Sequence, residues 1–242
     1  MSTDTRPRHA APPRRGVGWY VRGVIGIIGE LMITAGVALG LFVAWQLVWT
    51  DVVGDQEQDQ VVAQLEDSFR VPTDHDNGPI LKPVEFGDAF AIVRIPRFGL
   101  KYAKPVLEGT DRLTLQKGIG HYPETVMPGE IGNFSMAGHR TTYGKPFNKI
   151  AELKEGDLII VETREEYFVY EVYEHLIVLP HQTEVVAPVP SQLGQRPTEA
   201  LMTMTSCNPM FSSRQRWVTH SRLLQTIPHD QGLPPDLLKV SD

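Results

Sequence analysis

Cys207 is the only cysteine among the 242 residues of this chain. It follows Leu201 to Thr205, a run of residues typical of a β-strand. Asn208-Pro209 comes next and indicates a turn, because proline keeps the preceding residue out of the helical region. A free cysteine is most often a small buried hydrophobic residue, whereas a nucleophilic cysteine needs a base and a cation beside its thiolate. Its position alone leaves both interpretations open.

A cysteine nucleophile needs a histidine as its partner in proton transfer, and the chain contains eight. His139 is the strongest candidate, because it follows a turn, a strand and then Gly138, which leaves room for a ring facing a groove. His121, in the segment Gly120-His121-Tyr122-Pro123, is the second candidate. The other histidines lie near the ends of the chain, in a linker, within a strand or in no special context: His9, His75, His175, His181, His220 and His229.

Arg214 and Arg216 lie seven and nine residues beyond Cys207. A loop of that length can fold back, so that an arginine at the start of the next strand stands beside the cysteine. A guanidinium in that place would stabilise a thiolate, or the oxyanion that develops during acyl transfer. The alternative is that both arginines are solvated surface groups.

Short strands separated by turn signals make up the segment 86–227, which is predicted to be the compact domain. The predicted strands are Ala89–Ile95, Ala103–Leu107, Asn133–Ala137, Asp157–Glu162, Tyr167–Val178, Leu201–Thr205 and Arg216–Leu224. One helix is expected over Thr110–Lys117. Many short strands with glycine- and proline-rich turns are typical of a closed β-barrel or a sandwich. The polar segment 228–242 is expected to be a loosely packed tail.

The chain contains one long apolar run, Val24 to Trp49. Because about 20 helical residues cross the hydrocarbon core of a bilayer, we expect a membrane-spanning helix over residues 23–49. Five arginines and one acid in residues 1–22 predict a cytoplasmic tail, and the acids after the run predict an exported remainder. A cleaved signal peptide is the alternative, but the run exceeds the roughly 7–15 residues of a signal h-region.

Residues 50–85 are predicted to be an extracellular linker, with room for a short helix in Val52 to Phe69. An exported domain with one cysteine has no internal disulfide, so its thiol is idle, intermolecular or reactive. An idle thiol is a liability in an oxidising compartment, which favours a reactive one.

Charge and motif content exclude several classes of function. The net charge of −6 argues against general nucleic-acid binding, which needs a basic face. The sequence contains no glycine-rich phosphate loop and no CxxC or HExxH pattern. The acids of the domain are scattered, so we expect no metal and no other cofactor. These acids are Glu124, Glu130, Glu165 and Glu166.

Three motifs together resemble the sortases, the membrane-anchored cysteine transpeptidases of Gram-positive bacteria. They are Pro128-Gly129…Gly132-Asn133…Ala137-Gly138-His139, which matches the histidine block, Thr203-Met204-Thr205-Ser206-Cys207, which matches TLxTC, and Arg216, which matches the catalytic arginine. Met204 and Ser206 replace the usual Leu and Thr, and both changes are mild, because Met fills similar apolar space and Ser keeps the hydroxyl. The resemblance covers roughly residues 89–225.

Within the family, Gly120-His121-Tyr122-Pro123 and the segment from Cys207 to Arg216 look like the class E sortases of actinobacteria. This resemblance implies an eight-stranded β-barrel that prefers an LAXTG-type sorting signal over LPXTG. It associates Tyr122 with the altered second position of the signal. The other positions that we expect to bind substrate are Thr205, Ser206 and Arg214.

The implied mechanism begins when Cys207 attacks the Thr carbonyl of the sorting signal. His139 protonates the departing Gly amine, and Arg216 stabilises the oxyanion or holds the substrate backbone. An amine, from a peptidoglycan precursor or a pilin lysine, then resolves the thioacyl-enzyme. The expected partners are therefore secreted proteins with a C-terminal sorting signal, the acceptor amine and the bilayer around the N-terminal helix.

Two other functions remain compatible with the sequence. A cysteine hydrolase would use the same residues with water as acceptor, and product analysis with and without an added amine separates it from a transpeptidase. A non-catalytic envelope scaffold would bury an unreactive Cys207, which the rate of thiol labelling would reveal.

Overall fold

A computed structural model of the chain describes residues 17–70 and 84–240. Contacts divide the chain into two units, Met1–Leu47 and Val48–Asp242. Most of the predicted cytoplasmic tail and the proline-rich part of the predicted linker lie outside the described residues.

The described residues of the first unit, 17–47, belong to helix α1, which spans Val17–Phe69. Its side chains are almost all exposed, including large apolar ones such as Trp19, Leu31 and Trp45. Among the described residues, α1 is the one helix that contains a stretch long and apolar enough to cross a membrane. The orientation of this helix in a membrane stays a prediction.

Residues 51–69 are all helical, where the sequence suggested only a short helix in a linker. No proline interrupts this stretch, and buried residues recur on one face: Gly54, Gln58, Val62 and Phe69. Val62 and Phe69 pack against Ile92 of the domain. Residues 51–69 are therefore a helix packed on the domain and not part of a free linker.

The domain is a closed eight-stranded β-barrel, which confirms the predicted fold. The strands are β1 Ala89–Arg94, β2 Lys104–Glu108, β3 Ile119–His121, β4 Gly132–Ala137, β5 Leu158–Glu162, β6 Glu166–Val178, β7 Ala200–Asn208 and β8 Gln215–Pro228. They close in the order β1-β2-β3-β4-β7-β8-β6-β5. Helix α2, Arg112–Lys117, lies in the connection between the parallel strands β2 and β3.

Strands β4 and β7 pair in parallel, and side chains alternate between the two faces of each strand. Met202 and Met204 belong to the barrel core, as side chains from one face of the strands of a small barrel do. The residues between and after them on β7 therefore face outward: Thr203, Thr205 and Cys207. The register of this one strand decides which residues can meet a substrate.

The structure corrects two strand predictions. Strand β3 was not predicted, because it has only three residues, one of them Gly120, and shows no alternation of apolar and polar residues. Strand β7 extends to Asn208, so Cys207 lies within the strand rather than at the mouth of a loop. Pairing with β8 supports this extension, because Asn208 still pairs with Gln215.

The expectation of a loosely packed C-terminal tail is wrong for residues 228–238. Leu233, Leu237 and Leu238 pack against a cluster on β5 and β6 that includes Tyr167. His229 stacks on Tyr167 with a ring-centre distance of 4.7 Å. The apolar residues of the tail thus cover one face of the barrel.

Candidate active site

Cys207 and Arg216 are cross-strand neighbours on β7 and β8. Side chains of directly opposite residues project from the same face of a sheet, so the thiol and the guanidinium start side by side. Cys207 is half-buried, which leaves its side chain accessible to solvent. The structure thus brings together two of the three residues that the sequence analysis singled out.

The guanidinium of Arg216 turns toward the loop that joins β7 to β8. Its Nη1 donates to the carbonyl oxygens of Ser213 at 2.9 Å and Gln215 at 3.0 Å. Both bonds use one nitrogen, and a guanidinium carries five N–H donors. Arg214 is exposed, and its backbone N–H donates to Ser212 Oγ at 3.3 Å.

His139 follows β4, whose last residue, Ala137, pairs with Thr205 in the parallel register. The register continues for one more residue, because the N–H of Gly138 donates to the carbonyl of Thr205 at 3.1 Å. In this register His139 lies opposite Cys207, on the neighbouring segment of the chain. Adjacent strands are about 4.8 Å apart, so the two residues are close. The chain can pass this close to Phe147 because residue 138 is glycine: a Cβ at this position would lie 2.6 Å from the Phe147 ring.

The environment of His139 favours the neutral form of its imidazole. Its Nε2 is buried and has no hydrogen-bond partner among the described residues. Burial lowers the pKa of His139 below its ordinary value of 6.5. The Nε2 atoms of His175 and His220 are also buried without a partner among the described residues, so the register with Cys207 is what distinguishes His139. At neutral pH this histidine is a neutral ring that can accept a proton from a thiol or from a bound substrate.

Arg140 is a residue of this site that the sequence analysis missed. It is only 7% exposed, and its Nη1 donates to the Cys207 carbonyl at 3.1 Å and to Asn208 Oδ1 at 2.7 Å. Burial lowers the pKa of its guanidinium, and the proximity of Cys207 opposes that shift. Arg140 therefore ties the segment after His139 to the strand that carries the thiol. Its position next to His139 was the available sequence signal.

Tyr122, predicted to bind substrate, lines a groove of about 550 Å³ on the outer side of the barrel. The groove is lined by Thr110, Tyr122, Pro123, Glu124, Thr125, Thr183, Glu184, Val186, Ala187, Pro188 and Leu193. The Tyr122 hydroxyl lies 3.1 Å from Thr205 Oγ1. Thr205 is two residues before Cys207 on the same face of β7, so the groove wall contacts the strand about 7 Å from the thiol's position.

Ser206 has a different environment from the other predicted substrate-binding residues. It is 3% exposed, lies on the opposite face of β7 from Cys207, and donates from Oγ to the carbonyl of Gly138 at 2.8 Å. In this structure its hydroxyl holds the segment that leads to His139.

His121, the second candidate for the catalytic base, is a buried structural residue. Its Nδ1 lies 2.7 Å from Glu108 Oε2. Its Nε2 lies 3.0 Å from Thr125 Oγ1 and 3.2 Å from the Val126 carbonyl. Both ring nitrogens are thus engaged within the protein, which leaves His139 as the histidine of the site. Among the described residues, no cluster of three or more His, Cys, Asp or Glu could hold a metal.

A buried polar layer supports one wall of the groove. His220 Nδ1 lies 2.9 Å from Thr203 Oγ1, which donates to Asn133 Oδ1 at 2.8 Å. The amide of Asn133 donates to the carbonyl of Ala187, a groove residue, at 2.9 Å. The wall therefore depends on a neutral, buried histidine.

Acid will destabilise the barrel through His220. Burial, and secondarily His175, lowers the pKa of His220 from 6.5 to about 4. The unfolded chain therefore binds the proton more tightly, and the free energy of unfolding will fall by on the order of 3 kcal/mol as pH drops from about 6.5 to about 4. We expect His220→Gln to flatten this part of the profile in thermal unfolding measured by circular dichroism. An unchanged slope in the variant would contradict the assignment.

The fold and the site together define a cysteine transpeptidase of the sortase type. The parallel pairing of β4 and β7 positions His139 near Cys207, and the pairing of β7 with β8 positions Arg216 beside Cys207. A model of the sortase domain matches residues 93–224. The chain belongs to the sortase family, whose members are cysteine transpeptidases.

Individual relatives confirm the resemblance to class E sortases of actinobacteria. Sortase SrtE1 of Streptomyces coelicolor is 38% identical over 221 residues, which cover 87% of this chain and 60% of that protein. Sortase SrtE2 of the same organism is 32% identical over 255 residues, which cover 98% of each protein. The crystal structure of S. coelicolor sortase E1 with a tripeptide in its active site has a TM-score of 0.57 at 36% identity, covering 62% of this chain and 97% of that one.

Proposed function

We propose that this chain is a membrane-anchored transpeptidase that cleaves an LAXTG-type sorting signal between Thr and Gly. It joins the freed Thr carboxyl to an amine of a cell-wall precursor. The observation that supports this most directly is the placement of Cys207 opposite Arg216, at the level where the chain leaving β4 reaches His139.

The first half of the reaction forms the thioacyl-enzyme. The sulfur of Cys207 bonds to the Thr carbonyl carbon, and the carbonyl oxygen becomes an oxyanion. Arg216, on the neighbouring strand, is the donor that stabilises this charge, because electrostatic stabilisation of a developing oxyanion is a large part of acyl-transfer catalysis. Neutral His139 takes the thiol proton of Cys207 as the sulfur attacks, and it gives that proton to the Gly nitrogen as the carbon–nitrogen bond breaks.

The second half returns the enzyme to its starting state. The acceptor amine attacks the thioester carbon, and His139 takes a proton from the attacking nitrogen. The carbon–sulfur bond then breaks, and the Cys207 thiolate takes the proton from His139, which restores the thiol and the neutral imidazole. The lowered pKa of His139 suits this step, because an imidazole that is neutral at physiological pH is ready to act as a base.

The groove beside Tyr122 is the proposed site for the residues of the signal that precede Thr. The contact between the Tyr122 hydroxyl and Thr205 fixes the aromatic ring at the wall nearest the cysteine. A small Ala in the second position of the signal suits a groove that already holds a tyrosine ring. The tripeptide in the active site of S. coelicolor sortase E1 supports peptide binding in this family.

We propose that the apolar part of α1 anchors the enzyme in the cell membrane as a single span. The arginines before it place the N-terminus in the cytoplasm and the barrel outside, where secreted substrates and cell-wall precursors lie. The half-buried state of Cys207 favours an enzyme over a scaffold with a sequestered thiol.

The test uses the full chain in detergent micelles with matched LAXTG and LPXTG peptides, each with and without an amine acceptor. We expect cleavage between Thr and Gly, a product that incorporates the amine, and a higher kcat/KM for LAXTG. Mass spectrometry of peptides and intact protein measures all three. Cleavage that never incorporates the amine would assign a hydrolase, and an equal or higher kcat/KM for LPXTG would overturn the signal preference.

A further inference from the structure

Helix α1 contacts the loop that follows His139. The amide Nε2 of Gln58 donates to the backbone carbonyl of Tyr143 at 2.8 Å. Seven residues earlier on the same helix, the carboxylate of Asp51 accepts a hydrogen bond from Lys145 Nζ at 3.0 Å. Both contacts link positions more than 80 residues apart in the sequence, so they are tertiary contacts made by the folded domain.

The helix approaches this loop closely because residue 54 is glycine. A Cβ at Gly54 would lie 2.9 Å from the backbone nitrogen of Gly144 and 2.9 Å from the carbonyl carbon of Tyr143. Neither atom belongs to a flexible side chain, so any larger residue must push the helix and the loop apart. Gln58 is completely buried, and its Nε2 is paired with the loop, whereas its Oε1 has no hydrogen-bond partner among the described residues.

The loop has a backbone conformation that needs external support. Tyr143, Gly144 and Lys145 have φ values of 53°, 66° and 36°, so three consecutive residues lie in the left-handed region. Residues other than glycine rarely adopt this conformation, and they keep it when the surrounding structure holds them there. The contacts of Gln58 with Tyr143 and of Asp51 with Lys145 supply that support.

The supported loop is in contact with the candidate catalytic ring. The rings of Tyr143 and His139 lie 5.1 Å apart at an angle of 44°. The loop also closes on His139 through its backbone, because the N–H of Phe147 donates to the His139 carbonyl at 3.0 Å. Tyr143 therefore contacts the helix through its carbonyl and the imidazole through its ring.

The same helix face is attached to the barrel at further points. Asp55 pairs with Lys104 of β2, and Glu66 pairs with Arg94 of β1 at 2.6 Å. These ion pairs hold the helix independently of the loop. A change confined to Gln58 therefore alters the support of the loop without releasing the helix.

We propose that Gln58 and Gly54 are positioning residues for transpeptidation, because they hold the turn Tyr143–Lys145 and so set the orientation of the His139 ring. This inference rests on the proposed catalytic role of His139. It assigns the helix segment after the apolar run a part in the reaction rather than the role of a spacer.

The test uses the full chain in detergent with the variants Gln58→Met and Gly54→Ala. Gln58→Met keeps the length of the side chain and removes the donor. We expect kcat to fall about tenfold or more while KM stays within about twofold, because displacing a reacting group by about 1 Å can cost up to about 100-fold in rate. The acid limb of the pH profile of kcat/KM should also move to higher pH, because a released His139 ring becomes more hydrated.

Two variants are matched controls. Glu66→Gln weakens an ion pair on the same helix face but far from the loop, and we expect wild-type kcat. Gly36→Ala makes the same substitution as Gly54→Ala at a helical glycine with no described atom within 4 Å of the added Cβ. If Gly54→Ala does not fold, Gln58→Met carries the test alone.

The outcomes separate this inference from the proposed function. If the wild-type chain neither cleaves nor transfers, the proposed function fails. If the wild-type chain is active and Gln58→Met matches it in kcat and pH profile, the positioning role is overturned. An equal loss of kcat in Glu66→Gln and Gln58→Met also overturns it, because helix docking in general would then be the cause.

Discussion

Cys207→Ala will form no thioacyl adduct and will lose transpeptidation by about 10⁴-fold or more, to the limit of detection. No other residue can supply a thiol, since Cys207 is the only cysteine of the chain. The side chain is small and half-buried, so its truncation leaves a well-packed barrel. The measurement is the mass of the intact protein after incubation with LAXTG peptide in the absence of amine, together with the rate of product formation.

Peptide binding provides the control for this variant. Because the proposed groove lies beside Tyr122 and not at the sulfur atom, Cys207→Ala should bind the LAXTG peptide with an affinity close to that of the wild type. Retained transfer in Cys207→Ala would remove the cysteine from the mechanism. Loss of both binding and transfer with an altered circular dichroism spectrum would instead contradict the expectation that the barrel is undisturbed.

Arg216→Met will lower kcat by about 10²–10³-fold, the usual cost of removing one donor from an oxyanion site. Methionine keeps much of the apolar length of arginine, so the change removes mainly the charge and its N–H groups. KM should change much less than kcat, because the oxyanion exists only after Cys207 has attacked. Single-turnover formation of the thioacyl-enzyme measures this step directly.

Arg222→Met is the matched control for Arg216→Met. Arg222 lies on the same strand and the same face, but it pairs with Leu201 and stacks over the ring of Tyr173 at 4.8 Å. We expect its loss to leave kcat within about twofold. An equal loss of activity in both variants would show that the reaction needs the general positive charge of β8, and the specific role of Arg216 would fall.

Arg140 has a different role from Arg216 in this arrangement. Its Nη1 donates to the Cys207 carbonyl and the Asn208 side chain, so this nitrogen holds the strand, whereas its buried Nε has no partner among the described residues. Buried polar groups are generally paired in this way, and their removal leaves neighbouring groups without partners. Arg140 thus holds the strand that carries Cys207, whereas Arg216 lies opposite the cysteine on the next strand.

The sequence predicted the parts of this protein that depend on local pattern. Alternation and turn residues placed most strands of the barrel, and the position of His139 after Gly138 selected one histidine among eight. His121 remained a rival because β3 is too short to show a pattern, and its partner Glu108 lies on the next strand. The contacts of its two ring nitrogens, with Glu108, Thr125 and the Val126 carbonyl, are visible only in the folded structure.

What the sequence did not predict depends on contacts between distant segments. The buried face of α1 has a helical spacing that was readable, but its polar members gave no sign of their target. Gln58 reaches Tyr143 across 85 positions, and Arg140 reaches Asn208 across 68. A polar residue in such a pattern looks like a solvated one until the tertiary fold shows what covers it.

The order of strands in the barrel has a consequence for biosynthesis. Strand β8 is the last to be made, yet it lies between β7 and β6 and completes the ring. Cys207 therefore acquires its neighbour Arg216 only after the chain through β8 has been made, because the pairing of β7 with β8 joins the two residues. A chain made only as far as β7 carries the thiol without the guanidinium opposite it, so the proposed site is assembled only after β8 has joined the barrel.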